Sequence, residues 1–100
     1  MKKSLDEIKE ILKKYEKDLK EKYGIKEIGI FGSYLRGEAK EGSDLDILVE
    51  FNPETKISLL DFVELENYLS DLLRVKVDLV EKSALKPKIG KRILSEVVNI

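Results

Sequence analysis

Three aspartates within or beside predicted strands are the residues with the clearest chemical potential. Asp44 and Asp46 open one apolar run, and Asp78 lies within another. Because successive side chains of a strand point to opposite faces, Asp44 and Asp46 share the face opposite to Leu45. Aspartate is disfavoured in strands, and two carboxylates about 4 Å apart repel each other by roughly 4 kcal/mol at an effective dielectric constant near 20. If the two strands are neighbours, the three carboxylates can converge, and they then need a positive partner.

The residue types that the chain lacks narrow this chemistry. There is no histidine and no cysteine, which excludes disulfides, thiolate zinc sites, cysteine nucleophiles and most transition-metal chemistry. The positive partner of the aspartates is then a hard cation, Mg²⁺ or Mn²⁺, which binds carboxylates, water and phosphate oxygens. The alternative is structural, because a lone Asp-x-Asp pair at the start of a strand is more often a turn or capping feature than a metal site.

A candidate phosphate-binding segment favours a metal site over a structural role for the aspartates. Gly32 ends a predicted strand twelve residues before Asp44. A glycine there lets backbone N–H groups approach an anion closely, and the hydroxyl of Ser33 adds a donor. Arg36 lies one turn later and can bind a phosphate through two parallel hydrogen bonds. Together with the acidic residues, this segment has the outline of a site for a nucleoside triphosphate and Mg²⁺.

The elements that must position these residues are predicted from the spacing of apolar side chains. A capping box at Ser4–Glu7 begins a helix whose apolar residues recur every three or four positions and which ends at Gly24. The other predicted elements are strands at 25–31, 45–51 and 74–80, a helical turn near 33–36, a helix that starts at Ser58 and a last helix at 87–98.

The lengths of the links between strands predict the topology. About 22 residues, including a helix, separate the second and third strands, which indicates a right-handed parallel crossover. The short link between the first and second strands indicates an antiparallel pair. The predicted fold class is mixed α+β (mixed α/β), with a small three-stranded mixed sheet flanked by about four helices.

Length and charge limit the classes of function. One hundred residues are expected to form a single domain, 1–100. The 19 lysines and arginines nearly balance the 20 aspartates and glutamates, and the formal net charge of -1 argues against a protein that binds nucleic acid through charge alone. No apolar run approaches the roughly 18 residues of a membrane span, and the N-terminus lacks the apolar segment of a signal peptide. We therefore expect a cytoplasmic protein with no membrane partner.

The motif spacing resembles that of a known superfamily. Gly32-Ser33, ten further residues and Asp44-Leu45-Asp46 match the Gly-Ser-x10-Asp-x-Asp signature of the DNA polymerase beta-like nucleotidyltransferases. The longer segment GSYLRGEAKEGSDLDILVEF is similar to the minimal nucleotidyltransferases, including the antitoxins paired with HEPN-domain toxins. The element order, the strand with Asp78 and the helix start at Leu85-Lys86-Pro87 also fit, so the resemblance covers nearly the whole chain.

The resemblance implies a reaction and a role for each acidic residue. Asp44 and Asp46 would bind two Mg²⁺ ions, and Asp78 would bind the catalytic ion and help to deprotonate the acceptor hydroxyl. That hydroxyl would attack the α-phosphorus of ATP in line, accept AMP and release pyrophosphate. Gly32 and Ser33 would hold the β and γ phosphates, with Arg36 assisting.

The resemblance also implies a partner protein. A chain of this size has no expected domain to hold an acceptor, so the acceptor is expected on a HEPN-type toxin, as a tyrosine that is adenylylated and silenced. The docking surface is expected at exposed apolar residues of the last helix or at the edge of the second strand. Two alternatives remain: a non-catalytic module that neutralises the toxin by occlusion, and a nucleic-acid binder. The latter would use the basic residues Lys82, Lys86, Lys88, Lys91 and Arg92.

Overall fold

Helices and strands alternate along the computed structural model, which describes residues 4–100. The helices are α1 (Leu5–Tyr23), the one-turn α2 (Ser33–Arg36), α3 (Leu59–Leu73) and α4 (Pro87–Glu96), with a 3₁₀ turn at Lys82–Ala84. The strands are β1 (Ile25–Phe31), β2 (Leu45–Phe51), β3 (Val77–Glu81) and β4 (Val98–Asn99). No helix in this part of the chain is long and apolar enough to cross a membrane.

Side-chain caps set the limits of the two long helices. The Glu7 N–H donates to the Ser4 hydroxyl at 3.2 Å, and the Asp61 N–H donates to the Ser58 hydroxyl at 3.1 Å. Each pair forms a complete capping box, which satisfies N–H groups that the helix leaves without partners. Gly24 ends α1 in the left-handed conformation, with φ 67°. These predicted helix starts and the predicted end of α1 are confirmed.

The sheet has the predicted mixed pairing and one strand more than predicted. Its order is β3-β2-β1-β4, with β1 and β2 antiparallel and β2 and β3 parallel. The prediction of three strands is wrong because α4 ends at Glu96 instead of continuing to Val98. Val98 and Asn99 pair with Ile30 and Gly29 as β4. The β-branched Val97 and Val98 favour extended backbone, and this pairing supplies the partners that a helix would otherwise have given.

The third strand begins later than predicted. Arg74 ends α3 in the left-handed conformation, with φ 55°, so the chain reverses direction at a residue assigned to the strand. The Val77 N–H then donates to the Ser70 hydroxyl at 3.0 Å, which ties the start of β3 to the last turns of α3. The strand therefore runs from Val77 to Glu81 instead of from 74 to 80.

The two faces of the sheet have different roles. Ile30, Ile47 and Leu79 lie side by side across β1, β2 and β3, and all three are buried in the core with α1 and α3. The next row across the same strands is Phe31, Asp46 and Asp78. Because adjacent residues of a strand point to opposite faces, this row lies on the face away from the core. The fold thus keeps the carboxylates out of the apolar interior.

Candidate functional site

The register of the parallel pair places two of the predicted acidic residues together. Asp46 on β2 lies directly opposite Asp78 on β3. Asp46 is half-buried, whereas Asp78 is exposed on the edge strand of the sheet. The two carboxyl groups therefore share one patch on the face of the sheet away from the core, open to solvent on the β3 side.

The pKa of Asp46 is raised, in part because carboxyl groups crowd around it. Burial is the largest cause that raises the pKa of Asp46 from 3.8 to about 6, and the charges of Asp78 and Asp44 add to it. A hydrogen bond between the Asp46 and Asp78 carboxyl groups acts in the same direction, and the charge of Arg36 acts against it. Negative charge thus exceeds positive charge around Asp46, a condition that a bound cation relieves.

Asp44 directly precedes β2 and is exposed. The charge of Asp44 helps to raise the pKa of Asp46. It also raises the pKa of Tyr34, for which burial is the larger cause. Tyr34 is only 6% exposed and belongs to the hydrophobic core, so it is a packed turn aromatic and not an open stacking platform. The structure therefore places Asp44 beside the pair without bringing its carboxylate into the same row.

The donor set fits a hard cation, although it is not a preformed cage. Among residues 4–100, no three acidic side chains are gathered into a ready-made metal site. The oxygens of Asp46 and Asp78 are nevertheless paired at the solvent edge with Asp44 nearby, and oxygen ligands with open positions are what Mg²⁺ prefers. The residues that would hold it are Asp44, Asp46 and Asp78, and their role as ligands stays a prediction.

Gly32 brings the candidate phosphate-binding segment, residues 32–36 and called the phosphate segment below, against Asp46. It follows β1 with φ 81°, a conformation that residues with side chains rarely adopt. A Cβ atom at this position would collide with the Oδ2 atom of Asp46, so only glycine allows the close approach. Ser33 begins α2 directly afterwards, and its hydroxyl has no hydrogen-bond partner within the described residues.

Arg36 and Gly32 both donate hydrogen bonds to Glu96, which is not among the predicted site residues. The Gly32 N–H donates to the Oε1 atom of Glu96 at 3.0 Å, and Arg36 Nη1 donates to both carboxylate oxygens at 3.1 and 3.2 Å. The Gly32 hydrogen bond, supported by Arg36, lowers the pKa of Glu96. Arg36 Nε also donates to Glu38 at 2.6 Å. No local pattern could reveal Glu96, because its position depends on β4, which has too few residues to show periodicity.

The basic residues of the C-terminal third lie mainly in solvent. Lys82 is within 3.6 Å of Glu50, and the others are exposed around the start of α4. This arrangement is that of a solvated helix start, with one cation already paired to an acid.

The electrostatics of Asp46 lead to a stability prediction. The folded state binds the Asp46 proton more tightly than the unfolded chain does. The tighter binding of this proton stabilises the folded state. The stabilisation is fully present below about pH 4 and is lost as the pH rises through about 6. Asp46→Asn removes the charge, so it should raise the free energy of unfolding at pH 7.5 by about 1 kcal/mol, once solvent screening of this half-buried group is allowed for.

Thermal unfolding in a metal-free chelating buffer at pH 4 and pH 7.5 measures this effect. The gain should be present at pH 7.5 and nearly absent at pH 4, where Asp46 is already protonated. Asp18→Asn, on the exposed face of α1, removes the same charge as a control and should change little. Destabilisation by Asp46→Asn at pH 7.5 would contradict the account and mark the carboxylate as structural.

The chain matches known proteins over nearly its whole length. Residues 12–100 match the family model of the nucleotidyltransferase domain. Protein adenylyltransferase MntA of Thermococcus cleftensis is 57% identical over 97 residues, which are 97% of this chain and 96% of the relative. A solved structure described as a minimal nucleotidyltransferase is 35% identical, with a TM-score of 0.74, and the match covers 93% of this chain and 95% of that chain.

A more distant solved structure shares the fold. It is a chain from the complex of a tri-AMPylated Shewanella oneidensis HEPN toxin with an MNT antitoxin, 22% identical with a TM-score of 0.66, and the match covers 92% of this chain and 70% of that chain. At this identity the likeness shows the fold alone. The two closer matches and the family model confirm the resemblance carried by the Gly-Ser and Asp-x-Asp residues, and this chain belongs to the nucleotidyltransferase domain family.

Proposed function

We propose that this protein transfers AMP from ATP to a hydroxyl group of a partner protein in an Mg²⁺-dependent reaction. The partner is a HEPN-type toxin, and the acceptor is a tyrosine. The observation that carries the proposal is the pairing of Asp46 and Asp78 directly beside the glycine of the phosphate segment. The 57% identity to a protein named as an adenylyltransferase supports the reaction, and the fold shared with a toxin–antitoxin complex supports the partner class.

Each part of the site has a task in this reaction. Asp44, Asp46 and Asp78 hold Mg²⁺, which when bound neutralises charge on the phosphate and leaving-group oxygens. The hydroxyl of Ser33, which has no hydrogen-bond partner among residues 4–100, donates to a phosphate oxygen. The guanidinium of Arg36 offers donors to the same anion and keeps its charge throughout.

In this proposal Asp78 is the residue that contacts the acceptor. It is exposed, and β3 is an edge strand, so a hydroxyl can approach the carboxylate from solvent without passing through the fold. The pKa of a tyrosine hydroxyl is near 10, so a carboxylate at this position promotes attack by accepting a hydrogen bond from the O–H and taking its proton. The hydroxyl oxygen then forms the new bond to the α-phosphorus as the bond to pyrophosphate breaks.

One of the two expected docking surfaces is compatible with the structure. Ile89 and Leu94 of α4 are exposed apolar residues, and docking at the last helix stays a prediction. The expectation of an edge at the second strand is wrong, because β2 lies between β3 and β1 and both its sides are hydrogen-bonded. Leu59 and Leu60 at the start of α3 are exposed as well, at 78% and 82%.

The test of the proposal is the metal dependence of ATP binding. Without a divalent cation, the phosphates of ATP face bare carboxylates, so affinity should fall by at least about tenfold. Calorimetric titration of ATP with Mg²⁺ and with chelator measures the difference. Equal affinities would show that nucleotide and carboxylates do not share a site, and the proposal would fail.

A further inference from the structure

We propose that Glu96 is an internal ligand of the phosphate segment, occupying the place of a nucleotide phosphate group until nucleotide displaces it. The inference rests on the proposed function in one respect: it takes Gly32 and Arg36 to be the groups that bind phosphate. It adds a competitor, built into the chain, that sets how tightly the site binds nucleotide.

The contacts at Glu96 are those of a bound anion. A backbone N–H and a guanidinium converge on one carboxylate, with donor–acceptor distances of 3.0 to 3.2 Å. Gly32 and Glu96 are 64 residues apart in the chain, so local geometry does not force the contact. Carboxylate and phosphate oxygens accept from the same donors, and these are the donors that sequence analysis assigns to ATP. One set of donors therefore cannot serve both anions at once.

The C-terminal segment holds Glu96 at this position. α4 ends at Glu96, and Val98 pairs with Ile30 two residues later. A Cβ atom on Gly29 would meet Val97 and Asn99, so the glycine permits the segment to lie close against β1. The backbone beside Glu96 is thus held against β1, so exchange with nucleotide requires only a rotation of the Glu96 side chain. A tethered carboxylate of this kind competes as a ligand at an effective concentration on the order of millimolar.

When a phosphate group replaces the Glu96 carboxylate, Arg36 keeps an anionic partner. With Glu96 in place, the guanidinium has an anionic partner at Nη1, and after exchange it has a phosphate instead. Phosphate gains more from Arg36 because it carries more charge than a carboxylate, but that gain is reduced by the contacts that Glu96 gives up. Removing the Glu96 charge should therefore tighten binding. If Glu96 instead positions Arg36 for nucleotide, removing it should weaken binding, so the two roles predict opposite signs.

The decisive variant is Glu96→Gln, titrated with Mg²⁺–tripolyphosphate and with Mg²⁺–ATP. The amide keeps the size of the side chain but loses the charge, and we expect about tenfold tighter binding of both ligands. Glu38→Gln is the matched control, because Glu38 also bonds Arg36 yet does not contact Gly32. It should change affinity by less than about twofold. Glu96→Asp, which keeps the charge but shortens the reach, provides a second variant with an expected gain between these values.

The outcomes separate the inference from the proposed function. Unchanged or weaker binding of tripolyphosphate by the Glu96 variants, or an equal gain in Glu38→Gln, overturns the inference. Absence of tripolyphosphate binding in every variant does the same. If the Glu96 variants bind tripolyphosphate more tightly but no AMP is transferred from ATP, the inference stands and the proposed function fails. If AMP is transferred while Glu96→Gln leaves both affinities unchanged, the proposed function stands alone.

Discussion

Asp46→Asn is expected to lower the rate of AMP transfer by about a thousandfold or more while the fold remains intact. Asp46 lies directly against the phosphate segment, because a Cβ atom on Gly32 would meet its Oδ2 atom. It also faces Asp78 across the parallel pair. An amide in its place removes the negative charge that attracts the cation and leaves a weaker ligand. The measurement is the initial rate at which label moves from α-labelled ATP to the partner protein.

A matched control distinguishes loss of chemistry from loss of charge. Asp18→Asn removes one carboxylate from the outer face of α1 and should transfer AMP at close to the wild-type rate. Asp46→Asn should also be at least as stable as the wild type at pH 7.5 in chelator, because the pKa of Asp46 is raised to about 6 by burial and by neighbouring carboxylates. A variant that is both more stable and inactive is the signature of a residue retained for function at a cost to the fold. Activity above about a tenth of wild type would contradict this role.

The part of the site built from local signals could be predicted from the sequence. β1, the α2 turn and β2 have the predicted limits, because a glycine or a proline follows closely after each of them. Strand periodicity then placed Asp46 and Asp78 on the face opposite to Ile47 and Leu79. The parallel crossover made the two strands neighbours, and the register brought the carboxyl groups opposite each other.

The part that depends on long-range pairing could not be predicted. β4 is two residues long, and its partners lie on β1, far away in the chain. A segment of that length shows neither alternation nor helical periodicity, so the sequence pattern extends α4 over it. The sequence does not reveal Glu96 for the same reason, since the pairing of β4 with β1 is what carries its carboxylate to Gly32. The late start of β3 has a different cause, which is the left-handed conformation of Arg74.

Asp78→Asn should separate nucleotide binding from transfer. The phosphate segment is adjacent to Asp46 on β2, whereas Asp78 lies one strand further out, at the exposed edge where an acceptor hydroxyl can approach. Loss of the Asp78 carboxylate removes the group that accepts the hydroxyl proton. Binding of Mg²⁺–ATP should therefore stay within about threefold of wild type, while transfer falls by about a hundredfold or more.

Intact-mass spectrometry of the partner provides the readout. With the wild-type protein, ATP and Mg²⁺, the partner should gain ~329 Da for each AMP attached to a hydroxyl, as α-phosphoryl transfer requires. With Asp78→Asn the partner mass should not change, and association of the two proteins should be unaffected because the exposed residues Ile89 and Leu94 are unaltered. Occlusion and catalysis then predict different results for toxicity. If Asp78→Asn silences the partner as well as the wild type does and neither adds mass, neutralisation is by occlusion, and the nucleotide serves another purpose at this site.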